Sequence, residues 1–220
     1  MHSLKVSYGI TVHDEKNELE KLLSKLLITI DSEDEVIICI DGDDKGVKDT
    51  VELYSLDSRV THYNRKLERD FAAQKNSVIE KSKGDYIFHI DADEYPNEIL
   101  IRQLKQILEI NDVDLIWIPR VNTVDGFTED DVRKWNWRVN TKGWVNYPDY
   151  QARVFRNRED IRWTRPLHEY IKGCKTYAHL PPHEELSLYH PKTKQKQEQQ
   201  NQFYMDNFHR DLLVRRTNGT

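Results

Sequence analysis

Apolar residues along the first half of this chain recur in two rhythms. Short apolar runs at 4–12, 35–40, 59–63, 85–90 and 114–119 read as strands. Between them, Leu19, Leu22, Leu23, Leu26 and Leu27 recur at helical spacing over 17–30, and 45–55 and 71–82 also read as helices. Pro96 opens a further helix, where its missing N–H costs nothing, with Ile99, Leu100, Leu104, Ile107 and Leu108 on the apolar face. Strands alternating with helices predict a parallel sheet covered on both faces. In such sheets ligands bind at the carboxyl ends of the strands.

The rhythm breaks after Pro119. Residues 121–150, which include WNWRVNTKGWVNYPDY, predict an irregular aromatic loop region, followed by short strands at 151–155 and 169–171. Residues 192–216 are polar and helix-prone, with Tyr204, Phe208 and Leu212 as a narrow apolar stripe. The expected division is a domain over 1–191 and a helical extension over 192–220 that packs on it. Peripheral contact with a membrane is the alternative for that extension, and its narrow stripe disfavours it.

Composition narrows the classes. A net charge of -5 argues against a dedicated nucleic-acid binder, which needs a basic surface for phosphate. Cys39 and Cys174 make no disulfide framework, and Cys39 lies inside the apolar run 36–40, as a thiol in a reducing compartment does. The segment MHSLKVSYGITV lacks a signal-peptide core, and no run approaches the ~20 apolar residues that span a bilayer. The expected location is cytoplasmic, without a transmembrane segment.

Carboxylates collect where the predicted strands end. His13, Asp14 and Glu15 follow the first strand, and Asp41, Asp43 and Asp44 follow the second in IDGDDKG. Asp91 and Asp93 follow the strand in GDYIFHIDADE; two apart on an extended chain, they converge on one ligand. Paired hard oxygen donors suit Mg²⁺ or Mn²⁺, ions that accompany phosphorylated substrates. The plain alternative for IDGDDKG is that Asp and Gly make a turn.

Six segments taken together resemble family-2 glycosyltransferases of the GT-A fold: ITVHDEKNELEKLLSKL, IDGDDKG, RDFAAQKNSVIEKSKGDYIFHIDADEYP, YPDYQARVFRN, PLHEYIKG and LYHP. The match covers roughly residues 4–191. The resemblance implies a Rossmann-like α/β three-layer sandwich with a mixed, mostly parallel central sheet. It also implies a metal-dependent, inverting transfer of a hexosyl or deoxyhexosyl group from a nucleoside-diphosphate-sugar to a hydroxyl of a glycan or other acceptor. Thr11, His13 and Glu15 stand where these enzymes begin to cradle the base, and Asp41 matches the acid that contacts it, usually uracil. Arg69 and Asp70 open the helix that reaches the nucleotide, and Lys75 stands where an arginine often precedes Asn76. Asp91-Ala92-Asp93 matches the DxD motif, with Asp93 as metal ligand and Asp91 on ribose or metal. Glu94 is expected to be structural.

Two carboxylates compete for the base that deprotonates the acceptor. Glu169 lies 76 residues after Asp93, about where the family places its base; Asp149 is the rival. The plain alternative for Glu169 is an ion pair with Arg153, Arg156 or Arg165. His190 is the candidate third metal ligand, and some related enzymes use a C-terminal histidine so. His168 is a candidate for a donor phosphate, while His89, inside a strand, is expected in the core. Trp137 and Trp144 are the candidates for stacking on the acceptor. Lys192, Lys194 and Lys196 can attract phosphate, but a solvated charge run is the default reading. The rival activities are a nucleotidyltransferase, for which TVHDEKNE lacks a glycine-rich phosphate loop, and a degenerate sugar-nucleotide or glycan-binding module.

Overall fold

A computed structural model describes residues 4–208. In chain order the strands and helices are β1 (Val6–Val12), α1 (Lys16–Leu26), β2 (Glu35–Ile40), α2 (Lys45–Tyr54), β3 (Val60–Asn64), α3 (Phe71–Ile79) and β4 (Tyr86–Asp91). Then come β5 (Tyr95–Pro96), α4 (Glu98–Asn111), β6 (Leu115–Ile118), β7 (Arg120–Asp125), α5 (Glu129–Lys134) and β8 (Gln151–Arg156). The last are β9 (Arg162–Thr164), β10 (Tyr170–Lys172), β11 (Tyr177–His179), β12 (Leu188–Thr193) and α6 (Lys194–Asn207).

Seven strands form the central sheet in the order β11-β6-β8-β4-β1-β2-β3. β8 alone runs against its neighbours β4 and β6; the other pairings are parallel, so the sheet is mixed and mostly parallel. Leu19, Leu22, Leu23 and Leu26 of α1, with Leu100, Leu104 and Leu108 of α4, bury against one face. On the other face α3 and the β9–β10 hairpin cover Ile37, Ile87 and Phe155. The result is helix, sheet, helix. α3 lies so close to β1 that a Cβ on Gly9 would stand 2.5 Å from Val78 Cγ1, which is why that strand position carries no side chain.

Side chains start α2, α3 and α4: Asp44, Asp70 and Asn97 accept from the backbone N–H of Val47, Ala73 and Ile99. Pro96 therefore does not open α4, contrary to the sequence pattern. It pairs with Leu188 in β5, and Asn97 caps the helix behind it. The helix expected over 17–30 ends at Leu26, where Thr29 and Ile30 both donate back to the Leu26 carbonyl.

The region 121–150 is more ordered than its composition suggests. It begins in β7 and continues through α5, whose Thr128 and Asp131 form a capping box. Pro119 turns the chain out of the central sheet and into a second one, ordered β5-β12-β7, in which β12 runs parallel to β7. The pairing places His190 beside Asn122 and Lys192 beside Val124. α6 leaves β12 directly, and its far end lies on Phe71, which stacks on Phe208 at 5.9 Å and meets Tyr204 edge-on at 6.4 Å. Leu212, the third member of the expected stripe, lies outside the described residues.

Candidate active site

The ends of β1, β2 and β4, the start of α3, the second sheet and α6 enclose a crevice of about 1410 Å³. Thr11, His13, Glu15, Asp41, Lys75, Asp91, Asp93, Asp149, Glu169 and His190 all line it. Distant stretches of the sequence thus meet at the carboxyl edge of the sheet, as the strand-end argument requires.

At one end Asp41 is bound on two sides. Its Oδ1 accepts from Leu67 N at 2.9 Å, and His13 Nδ1 lies 3.3 Å from its Oδ2. Burial alone would lower the His13 pKa, but the Asp41 backbone carbonyl and carboxylate outweigh it and raise it. Glu15 turns back to accept from His13 N at 2.9 Å, and burial raises its carboxyl above the ordinary value. Arg69 and Asp70 lie off the crevice lining. Arg69 is exposed in a left-handed conformation (φ 59°), and the Asp70 side chain is spent on the helix cap.

The centre of the site is a chain of alternating charges. Arg153 Nη2 donates to Asp91 Oδ2 at 2.6 Å and to Glu94 Oε1 at 2.7 Å. The same Glu94 oxygen accepts from Arg120 Nη1 at 2.7 Å, and Arg120 continues to Asp149 Oδ2 through Nη2 at 2.6 Å and Nε at 3.0 Å. Asn122 Nδ2 adds a third donor to that Asp149 oxygen at 3.0 Å. Burial alone would raise the Asp91 carboxyl, but Arg153 and then Lys75 hold it well below its ordinary value. Glu94, 1% exposed, is the hub on which both arginines depend.

Lys75 is 4% exposed and stands between two acids. Its Nζ is 2.5 Å from Glu169 Oε1 and 3.3 Å from Asp91 Oδ1, over the Trp163 ring at 4.7 Å from its centroid. The ion pair that is the plain alternative for Glu169 exists, but with Lys75 rather than with an arginine. Burial works against the Lys75 charge, and Asp91 and Glu169 more than restore it. Behind it His89 is fully buried, edge-on to Trp163 at 5.8 Å, and neither ring nitrogen has a hydrogen-bond partner among the described residues.

Asp93 faces the second sheet. His190 Nε2 lies 3.3 Å from Asp93 Oδ2, and His190 Nδ1 is 2.8 Å from Asn122 Oδ1, which fixes the ring. Burial would raise the Asp93 carboxyl, but His190 and then Lys192 outweigh it and hold it far below the usual range. Burial and then Arg120 pull His190 below 6.5, toward the neutral form a cation requires. Among the described residues no three His, Cys, Asp or Glu side chains group closely enough to hold an ion alone. A carboxylate and an imidazole nonetheless fit a divalent ion whose remaining positions come from phosphate oxygens and water, since the carboxylate and phosphate oxygens suit Mn²⁺ or Mg²⁺.

A protein-family comparison decides the classification: the model for glycosyl transferase family 2 matches residues 7–181. The chain belongs to that family. Among curated relatives, the SPbeta prophage-derived glycosyltransferase SunS of Bacillus subtilis (strain 168) is 27% identical over 141 residues, 62% of this chain and 32% of SunS. A TPR repeat-containing protein of Synechococcus elongatus is 27% identical over 169 residues, 76% of this chain and 35% of its own. The chain thus spans about a third of the length of these curated relatives. Among solved structures, S. aureus TarS 1-349 in complex with UDP-GlcNAc superposes with a TM-score of 0.63 at 14% identity, covering 86% of this chain and 58% of that one. The likeness establishes the GT-A architecture for this family-2 chain.

Residues the sequence left unassigned complete the crevice. Arg120 and Asn122 come from β7, Arg120 just before the expected loop and Asn122 inside it, and Arg153, a candidate only as a partner for Glu169, comes from β8. Trp135 lines the crevice with Trp137, 4.6 Å away, whereas Trp144 packs on Tyr147 at 4.8 Å and does not line it. His168 lies on the lining, next to Glu169 and 6.2 Å from the Tyr204 ring.

Proposed function

We propose that this chain transfers a sugar, with inversion, from a UDP-linked donor to a hydroxyl of a glycan or other acceptor. The observation that carries the reading is the convergence of Asp91, Asp93 and His190 with Glu169 in one crevice at the sheet's carboxyl edge. Asp41 and His13 take the base, and Thr11 and Asp91 the ribose side. Uridine is favoured by the Asp41 match, and UDP-GlcNAc is the molecule held by TarS, a protein of the same fold.

Asp93 and His190 would hold Mn²⁺ or Mg²⁺, which when bound stabilises the leaving diphosphate. Glu169 accepts the acceptor's proton at a carboxylate oxygen as the hydroxyl attacks. Lys75 keeps that carboxylate oriented until then. Asp149 is a weaker base because three donors already occupy its Oδ2, and its place favours positioning the acceptor. Trp135 and Trp137 offer apolar faces for a sugar ring. No helix among the described residues is long and apolar enough to cross a membrane.

The test is donor hydrolysis across a panel of nucleotide-sugars, with Mn²⁺, Mg²⁺ or EDTA. Turnover of a UDP-sugar that EDTA abolishes is the expected result. Absence of turnover and of nucleotide binding across the whole panel would sink the reading, and full activity in EDTA would remove the cation from it.

A further inference from the structure

Lys192 leaves β12 two residues after His190 and from the same face, so strand geometry drives both into the crevice. The residue is 9% exposed. Among the described residues its hydrogen bond goes to a neutral amide, Gln200 Oε1 at 2.7 Å, and its nearest carboxylate oxygen, Asp93 Oδ2, is 3.9 Å away and already faces His190. Burying an ammonium is costly unless an anion meets it, and one shared carboxylate is a thin match. Lys196, at the start of α6, also lines the crevice, with Nζ 3.2 Å from Glu18 Oε1. Lys196, Gln200 and Tyr204 are spaced four apart, so one face of α6 lies along the crevice, and Gln200 also donates to the Tyr204 hydroxyl at 3.0 Å.

We propose that Lys192 and Lys196 are ligands of the donor's diphosphate, and that Lys192 makes nucleotide and divalent cation bind as a unit. The inference rests on the donor reading above. A cation held by Asp93 and His190 alone would stand beside the Lys192 ammonium, two positive centres sharing one carboxylate, and like charges at such range repel. A diphosphate arriving with the cation neutralises both. Without the cation, the lysines still attract the phosphates. The coupling is reciprocal: whatever the nucleotide adds to cation affinity, the cation adds to nucleotide affinity. A lysine serving only as the structural counter-ion of Asp93 would treat uridine and UDP alike.

The experiment titrates uridine and UDP into the full chain by calorimetry, in EDTA and in Mn²⁺, and measures Mn²⁺ binding without nucleotide by electron paramagnetic resonance. In EDTA the wild type should prefer UDP to uridine by at least about tenfold, a preference that Lys192→Met or Lys196→Met cuts to about twofold with uridine affinity unchanged. Lys192→Met should bind nucleotide-free Mn²⁺ about tenfold more tightly than the wild type, and Lys192→Arg should behave as the wild type does. Equal losses for uridine and UDP, an intact preference in both variants, or unchanged nucleotide-free Mn²⁺ affinity would overturn the proposal. If the wild type binds UDP with Mn²⁺ and the variants match it, only the lysine assignment falls. If it binds no nucleoside diphosphate at all, the donor reading falls and takes this one with it.

Discussion

Lys75 and Glu169 form a buried ion pair, Nζ to Oε1 at 2.5 Å, across the floor of the crevice. α3 supplies the lysine and the turn before β10 the acid. The pair couples the candidate base to Asp91, which the same ammonium touches at 3.3 Å.

Glu169→Gln keeps the shape and a hydrogen-bond acceptor for Lys75 but removes the proton acceptor. Turnover should fall by about 10²-fold or more, with UDP affinity changed less than about threefold. Stopped-flow transfer assays paired with calorimetric UDP binding check both halves, and an unchanged rate would remove Glu169 as base.

Asp93→Ala deletes the carboxylate that faces His190. Mn²⁺-dependent strengthening of UDP binding should disappear, a loss of at least about tenfold in affinity measured in Mn²⁺. Affinity in EDTA should not fall, because the phosphates then depend on the lysines. A Mn²⁺ effect that survives the substitution would exclude Asp93 as a ligand.

Glu94→Ala leaves Arg120 and Arg153 buried without their shared anion. Such a break costs about 3–5 kcal/mol, so the urea midpoint should drop steeply. Losing less than about 1 kcal/mol would mean that Asp91 and Asp149 alone satisfy the arginines.

His89 gives the fold an acid sensitivity. Burial first, then Lys75 and Arg153, push its pKa well below the ordinary 6.5, and Asp91 opposes them without prevailing. The unfolded chain therefore binds a proton that the native chain refuses, and stability falls as pH drops below about 6.5 toward the native pKa. His89→Leu, which removes two ring nitrogens without partners among the described residues, should flatten that slope and leave stability at pH 7 equal or higher. Urea denaturation in EDTA from pH 7.5 to 5 measures it; an unaltered slope would assign the sensitivity elsewhere.

The regular half of the fold was legible because its information is local. Leu19 to Leu26, the apolar run 36–40 and the strand before Asp91 each declare their period within a few residues. The second sheet was not, because β7 becomes a strand only by pairing with β12, sixty-odd residues later. Arg120 and Asn122 stayed invisible for the same reason. His190 was found through the LYHP resemblance, whereas the partner of Glu169 was sought among arginines, and the fold supplies Lys75. Trp135, rather than Trp144, reaches the crevice, since the choice depends on how the loop closes on Tyr147.

The reversed strand β8 also dictates when the molecule can be finished. It is wedged between β4 and β6, both of which precede it in the chain. A chain emerging from the ribosome as far as α5 holds raw edges on β4 and on both sides of β6 with no partner yet synthesised, and raw edges recruit strands from other molecules. Translation through Arg156 supplies the strand that bridges β4 and β6, β11 covers the far edge of β6 only later, and a fragment ending before β8 should precipitate rather than fold.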